Sequence, residues 1–93
     1  MNSIVRDNPH MRRFEMSITK DSLAAAYYRL DDGLIVLLHT EVPFEYSGKG
    51  LGSQLAEGVF GSLRQSGRKA AVRCEFLANY VARHPEHRDV IVA

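Results

Sequence analysis

Tryptophan is absent from this chain, cysteine occurs once and proline three times, and neither sign of charge is in excess. Each scarcity excludes something. A lone Cys74 allows no internal disulfide, so nothing calls for an oxidising compartment and a reducing cytoplasm is the expected location. The longest strongly apolar run, Leu34 to Leu38, is far too short to span a membrane. The opening residues also lack a basic stretch followed by a long apolar core, so no leader and no membrane partner are expected. With 12 Lys and Arg against 11 Asp and Glu the net charge is +1. The arginines are scattered and form no basic stripe among aromatics, which leaves nucleic acid out as an expected partner. His10, His84 and His87 have no tight ligand spacing to other His, Cys or Asp residues, so no metal is expected.

What remains is ordinary globular composition, 45% hydrophobic and 25% charged over 93 residues. That length supports one modest core, so a single domain over residues 1–93 is expected, with any site built on one sheet.

After a polar opening from Asn2 to Arg12, with Asn8-Pro9 as a turn signal, Phe14, Met16 and Ile18 alternate with polar residues and predict a half-buried strand. Ala24 to Leu30 predicts a second strand, and Asp31-Asp32-Gly33 a tight hairpin turn, because Asp and Gly tolerate positive φ. Leu34 to Leu38 is apolar at every position, which predicts a central strand buried on both faces and covered by helices. Pro43 ends it. From Leu51 the apolar residues Leu55, Val59 and Leu63 recur at helical spacing as far as Ser66-Gly67. Ala70 to Cys74 predicts a fourth strand and Phe76 to Arg83 a short second helix, stopped near His84-Pro85. The tail from Asp89 to Ala93 either adds a strand or packs. The expected fold class is α/β (α+β), in the order β-β-β-α-β-α.

Gly48, Gly50 and Gly52 lie between the apolar strand and the first helix. Such a junction gathers unpaired backbone N–H groups at the positive end of a helix, an arrangement that suits phosphate. Two well-known motifs fail: Lys49 precedes Gly50 where a P-loop needs Gly-Lys-Ser/Thr, and Ser53 stands where a dinucleotide fingerprint needs its last glycine. His39 and Glu41 are two apart on an extended segment, so both leave the same face at the strand end. They read either as a general base and its neighbour or as solvated strand-end residues. Cys74 reads as a small buried hydrophobe or as a nucleophile favoured by His39.

The stretch Ser47-Gly48-Lys49-Gly50-Leu51-Gly52 resembles the acyl-CoA loop of the GNAT superfamily of N-acetyltransferases, with Ser47 where that pattern has Gln or Arg. The likeness extends to RFEM at Arg13 to Met16, HTEVP at His39 to Pro43, Cys74, and NYVARHPEH at Asn79 to His87. Together these are similar to a very small, single-domain GNAT-like family. The resemblance implies a truncated GNAT fold, with a mostly antiparallel sheet, splayed central strands and two helices. It implies acetyl-CoA as cofactor, held by the amides of the loop from Ser47 to Ser53, with Val42 and Tyr46 beside it and Lys49 adding charge. Asn79 and Arg83 would meet the pantetheine amides and a phosphate. Tyr80 falls where many of these enzymes place a tyrosine that protonates the departing thiolate.

The activity so implied is acetyl transfer to an amine, with His39 or Glu41 as base and either direct attack or an acetyl-Cys74 intermediate. Limited space favours an exposed acceptor, a protein lysine or a polyamine. A CoA-binding module without turnover and a protein-interaction domain are the alternatives.

Overall fold

The computed structural model of the protein describes residues 4–93; Asn2 and Ser3 of the polar opening lie outside the described residues. Alternation in Arg13–Thr19 puts Phe14 and Met16 on the buried side of a strand, β2, that lies between β1 (Val5–Asn8) and β3 (Ser22–Asp31). β4 (Leu34–Glu41) follows through a turn in which Asp32 and Gly33 both take positive φ, 55° and 85°. The first three pairings are antiparallel. β5 (Ala70–Val72) then pairs parallel to β4, completing a five-stranded sheet in the order β1-β2-β3-β4-β5. The class is therefore α+β, with a mostly antiparallel sheet and two helices.

α1 (Leu51–Ser66) makes the crossover from β4 to β5, and its C-terminus closes on Gly67 at φ 72°. α2 (Glu75–Arg83) leaves β5 through Cys74, and a 3-10 turn over Pro85–Val90 follows. No helix among the described residues is long and apolar enough to cross a membrane. The tail is strand-like: Val92 N donates to Ala70 O at 2.9 Å and Val72 N to Ala93 O at 2.8 Å.

All the buried residues of α1 and α2 join one cluster with Phe14, Met16, Ala26, Tyr28, Ile35 and Leu37. Both helices thus pack on the same side of the sheet. This corrects the expectation of helices over both faces of β4. Val36 is as buried as Ile35 and Leu37, yet it stands outside that cluster with Ala25 and Ala71. Its strand partners are Arg29 and Ala71, and the buried residues of α1 and α2 all lie in the cluster it stands outside. A second difference is β1, which sequence did not signal: VRDN has no apolar alternation, and its pairing with Arg13–Met16 is fixed by backbone hydrogen bonds.

β1 also explains a glycine inside α1. A Cβ on Gly58 would fall on the Val5 side chain, whereas one on Gly61 would meet nothing within 4 Å. Ala favours a helix over Gly by roughly 0.5–1 kcal/mol. Gly61→Ala is therefore expected to raise stability by about that amount, while Gly58→Ala loses about 1–3 kcal/mol to overpacking. Urea midpoints with equal slopes check both.

Candidate functional site

The parallel pairing of β4 with β5 stops at Leu37 and Val72. Beyond it Arg73 N still donates to Leu37 O at 2.8 Å, and then the chain turns into α2. Two things open the gap. Between Tyr28↔Leu37 and Tyr27↔His39 one step on β3 spans two on β4, so Leu38 is an extra residue, a bulge that bends the strand. Pro43 then removes a donor, and the chain leaves the sheet in a 3-10 turn over Phe44–Tyr46.

At the wide end of the gap is a cavity of about 260 Å³. Val42, Tyr46 and Ser47 line it from the end of β4 and its turn, and Gly48, Gly50, Leu51, Gly52 and Ser53 from the loop and the first turn of α1. Phe76 of α2 is the remaining lining residue. Lys49, Asn79 and Arg83, expected near the same ligand, are exposed and do not line it.

The loop glycines have different physical reasons. Gly48 and Gly50 hold φ of 78° and 76°, while Lys49 between them has no positive φ. Alternating hands of this kind turn successive N–H groups into one concavity. Gly52 has ordinary φ, but a Cβ there would sit 2.8 Å from Phe76 Cζ, so its bareness lets that ring close over the loop. The helix begins at Gly50 without a capping side chain and with no acidic residue in its first turn. Its first N–H groups therefore lack intrahelical acceptors, and the turn that carries them brings no carboxylate of its own. An anion fits that end.

The other sequence candidates lie deeper or on the far face. Cys74 is the residue before α2, 5% exposed, and its thiol approaches Thr40 Oγ1 at a long 4.0 Å. The extra residue at Leu38 turns Thr40 inward and His39 outward, so Thr40, not His39, is the polar neighbour of the thiol. His39 and Glu41 stand together on the open face, with Nε2 and Oε2 3.3 Å apart and side chains 56% and 62% exposed.

Tyr80 is buried against Phe60 and His84, and its hydroxyl donates to Glu57 Oε1 at 2.6 Å. The same oxygen meets His87 Nε2 at 2.9 Å, and Arg64 Nη2 lies 3.2 Å from His87 Nδ1. Arginine only donates, so Nδ1 accepts and Nε2 carries the proton toward Glu57. Together the tyrosine and histidine hold the Glu57 carboxyl below its ordinary range. Sequence reading missed this cluster because Glu57 lies on the polar side of α1 and meets His87 across a separation of 30 residues.

Burial first, and then the bond to Glu57, pushes the Tyr80 phenol up to about 12. Tyr28, buried and bonded to Asp7, is also raised to about 12. The unfolded phenols titrate near 10, so this stability is complete below about pH 10 and is lost as pH rises through 12. Tyrosinate absorbance of these two rings should appear in that window, together with a falling Tm. In Glu57→Gln the Tyr80 step should move down yet stay above the ordinary value, because burial remains.

Comparison with known proteins points one way. The model of the GCN5-related N-acetyl-transferase family matches residues 13–90. The mouse (Mus musculus) protein NATD1 is 26% identical over 83 residues, covering 87% of this chain and 76% of its own length. A GCN5-like protein from Staphylococcus aureus, solved by NMR, shares the fold with a TM-score of 0.69 at 24% identity, over 96% of this chain and 87% of that one.

Proposed function

Because this chain belongs to the GCN5-related N-acetyltransferase family, we propose that it moves an acetyl group from acetyl-CoA to an amine, acting as a single domain. The observation that carries this reading is the cavity at the uncapped start of α1, lined by Gly48 and Gly50 together with Val42, just past the end of β4, and Phe76, in the helix that follows β5. Acetyl-CoA would supply the reactive thioester. The amides from Gly48 to Ser53 would hold its pyrophosphate, and Val42, Leu51 and Phe76 would give the arm beyond it an apolar wall that excludes water.

His39, with Glu41 behind it, takes the proton of the acceptor amine. Both are exposed, which suits an acceptor that is itself exposed, a protein lysine or a polyamine. Cys74 borders the path without entering the chemistry. Tyr80 is assigned to packing: its hydroxyl is committed to Glu57 Oε1 at 2.6 Å, its ring lies against Phe60 and His84, and it does not line the cavity.

Thermal unfolding tests the reading. Acetyl-CoA at about 100 times its dissociation constant should add roughly 2.7 kcal/mol, a Tm rise of about 10 °C or more for a chain this size. No rise would leave a protein-interaction domain as the better account. A rise without release of CoA thiol in the presence of amines would mark a binding module.

A further inference from the structure

Strict alternation along β4 would send residue 39 inward after Ile35 and Leu37. The bulge at Leu38 reverses that parity and delivers His39 and Glu41 to the face that no helix covers. There His39 lands on a prepared surface. Its partner on β3 is Tyr27, and the two rings stack with centroids 4.8 Å apart and planes 16° apart. Tyr27 is itself held from β2, where Arg13 Nη1 donates to its hydroxyl at 3.0 Å and the guanidinium lies 5.7 Å from the ring centroid. Arg13 is paired with Glu15, which also accepts from Asn8 Nδ2 of β1 at 2.9 Å.

A chain of contacts thus runs across four strands and ends at the imidazole. His39 needs it. Its contact with Glu41 is long and the pair is more than half exposed, so the carboxylate alone would leave the ring free to turn. An ionised carboxylate only accepts, so Nε2 carries the proton and Nδ1 keeps its lone pair.

We propose that Tyr27 is the positioning residue for the acceptor base: its ring fixes the His39 imidazole with Nε2 on Glu41 and Nδ1 presented to the incoming amine. This rests on the reading of His39 as base given above. As the amine nitrogen bonds to the acyl carbon and the carbon–sulfur bond breaks, the nitrogen's proton passes to Nδ1. From the imidazolium, steadied by Glu41, it goes on to the thiolate or to water.

The test compares wild type, Tyr27→Phe, which keeps the stack, and Tyr27→Leu, which removes it; Tyr27→Thr replaces the last if it does not fold. In buffer alkaline enough to leave the ring neutral, nitrogen-15 spectra should show the Nε2–H tautomer of His39 in wild type and Tyr27→Phe. Its ring protons should be shifted upfield in both. Tyr27→Leu should give mixed tautomers without that shift. With acetyl-CoA and Nα-acetyl-lysine amide, thiol release by Tyr27→Leu should fall about tenfold in kcat at unchanged KM for acetyl-CoA, with Tyr27→Phe close to wild type. Mixed tautomers in wild type, or a Tyr27→Leu protein matching wild type in tautomer, would overturn the positioning role while leaving the base in place. A His39→Gln protein that keeps the wild-type rate would remove the base itself, and the positioning role with it. The tautomer comparison needs no acceptor, so it decides the positioning claim whatever amine the enzyme prefers.

Discussion

Gly50→Val is expected to weaken acetyl-CoA at least tenfold, about 1.4 kcal/mol, in a protein that still folds. Gly50 starts α1 with φ at 76°, where a β-branched residue is strained by roughly 1–3 kcal/mol. A Cβ there meets no protein atom within 4 Å, so the free protein suffers strain but no clash. Either the loop relaxes and its amides lose their common aim, or the isopropyl group stays and fills space the pyrophosphate needs. Gly52→Val should also weaken binding at least tenfold, for another reason: the new Cβ, 2.8 Å from Phe76 Cζ, drives the ring off the loop. Lys49→Ala should cost less than either, and less again in high salt, because an exposed lysine is screened. Calorimetric titration of the folded variants checks the ranking. Binding abolished in Lys49→Ala at every salt concentration would mean the amides are not the anchor.

His39→Gln is expected to lower kcat by about a hundredfold or more, within the usual range for losing a general base. The loss should be greatest where the imidazole is neutral and should shrink in acid, where a protonated ring has no lone pair to accept with. Glu41→Gln should cost less, since it orients and steadies the imidazole without accepting the amine's proton. Cys74→Ala should keep turnover, and its main effect should be on stability, about 1 kcal/mol for a buried side chain made smaller. The thiol is 5% exposed and its polar neighbour is the Thr40 hydroxyl. Mass spectrometry after mixing with acetyl-CoA should find no acetylated Cys74. An acetyl-Cys74 species that passes its acetyl group to an amine would reverse this order of importance.

What could be read from the sequence depended on range. α1 was legible to its ends because its signals are local: apolar residues at helical spacing and a terminal Gly67 in left-handed conformation. The hairpin at Asp31-Asp32-Gly33 was legible for the same reason, since positive φ at Asp32 and Gly33 is a property of those residues. β1 was not, because an edge strand with no apolar pattern is defined by its partner. The bulge at Leu38 left no Gly or Pro in LIVLLHTE to mark it. The one hint was that strict alternation would have carried His39 to the core side. That hidden step is why pairing His39 with Cys74 looked reasonable and why Thr40 takes the place instead. Phe76 was read as a helix residue, and its place over the loop follows only from the contact with Gly52 across 24 positions of chain. The loop itself was found because positive φ at Gly48 and Gly50 and bareness at Gly52 are demands that glycine meets at no steric cost.

The central claim is that acetyl-CoA sits on the amides at the start of α1. Titrating nitrogen-15-labelled protein with acetyl-CoA and following every backbone amide tests it most directly. The account predicts the largest shift changes at Gly48 to Ser53, joined by Val42 and Phe76, and little change at Lys20, Asp21 or the 3-10 turn over Pro85–Val90. Saturating acetyl-CoA that leaves Gly48 to Ser53 unmoved, or that moves only residues remote from the cavity, would contradict it.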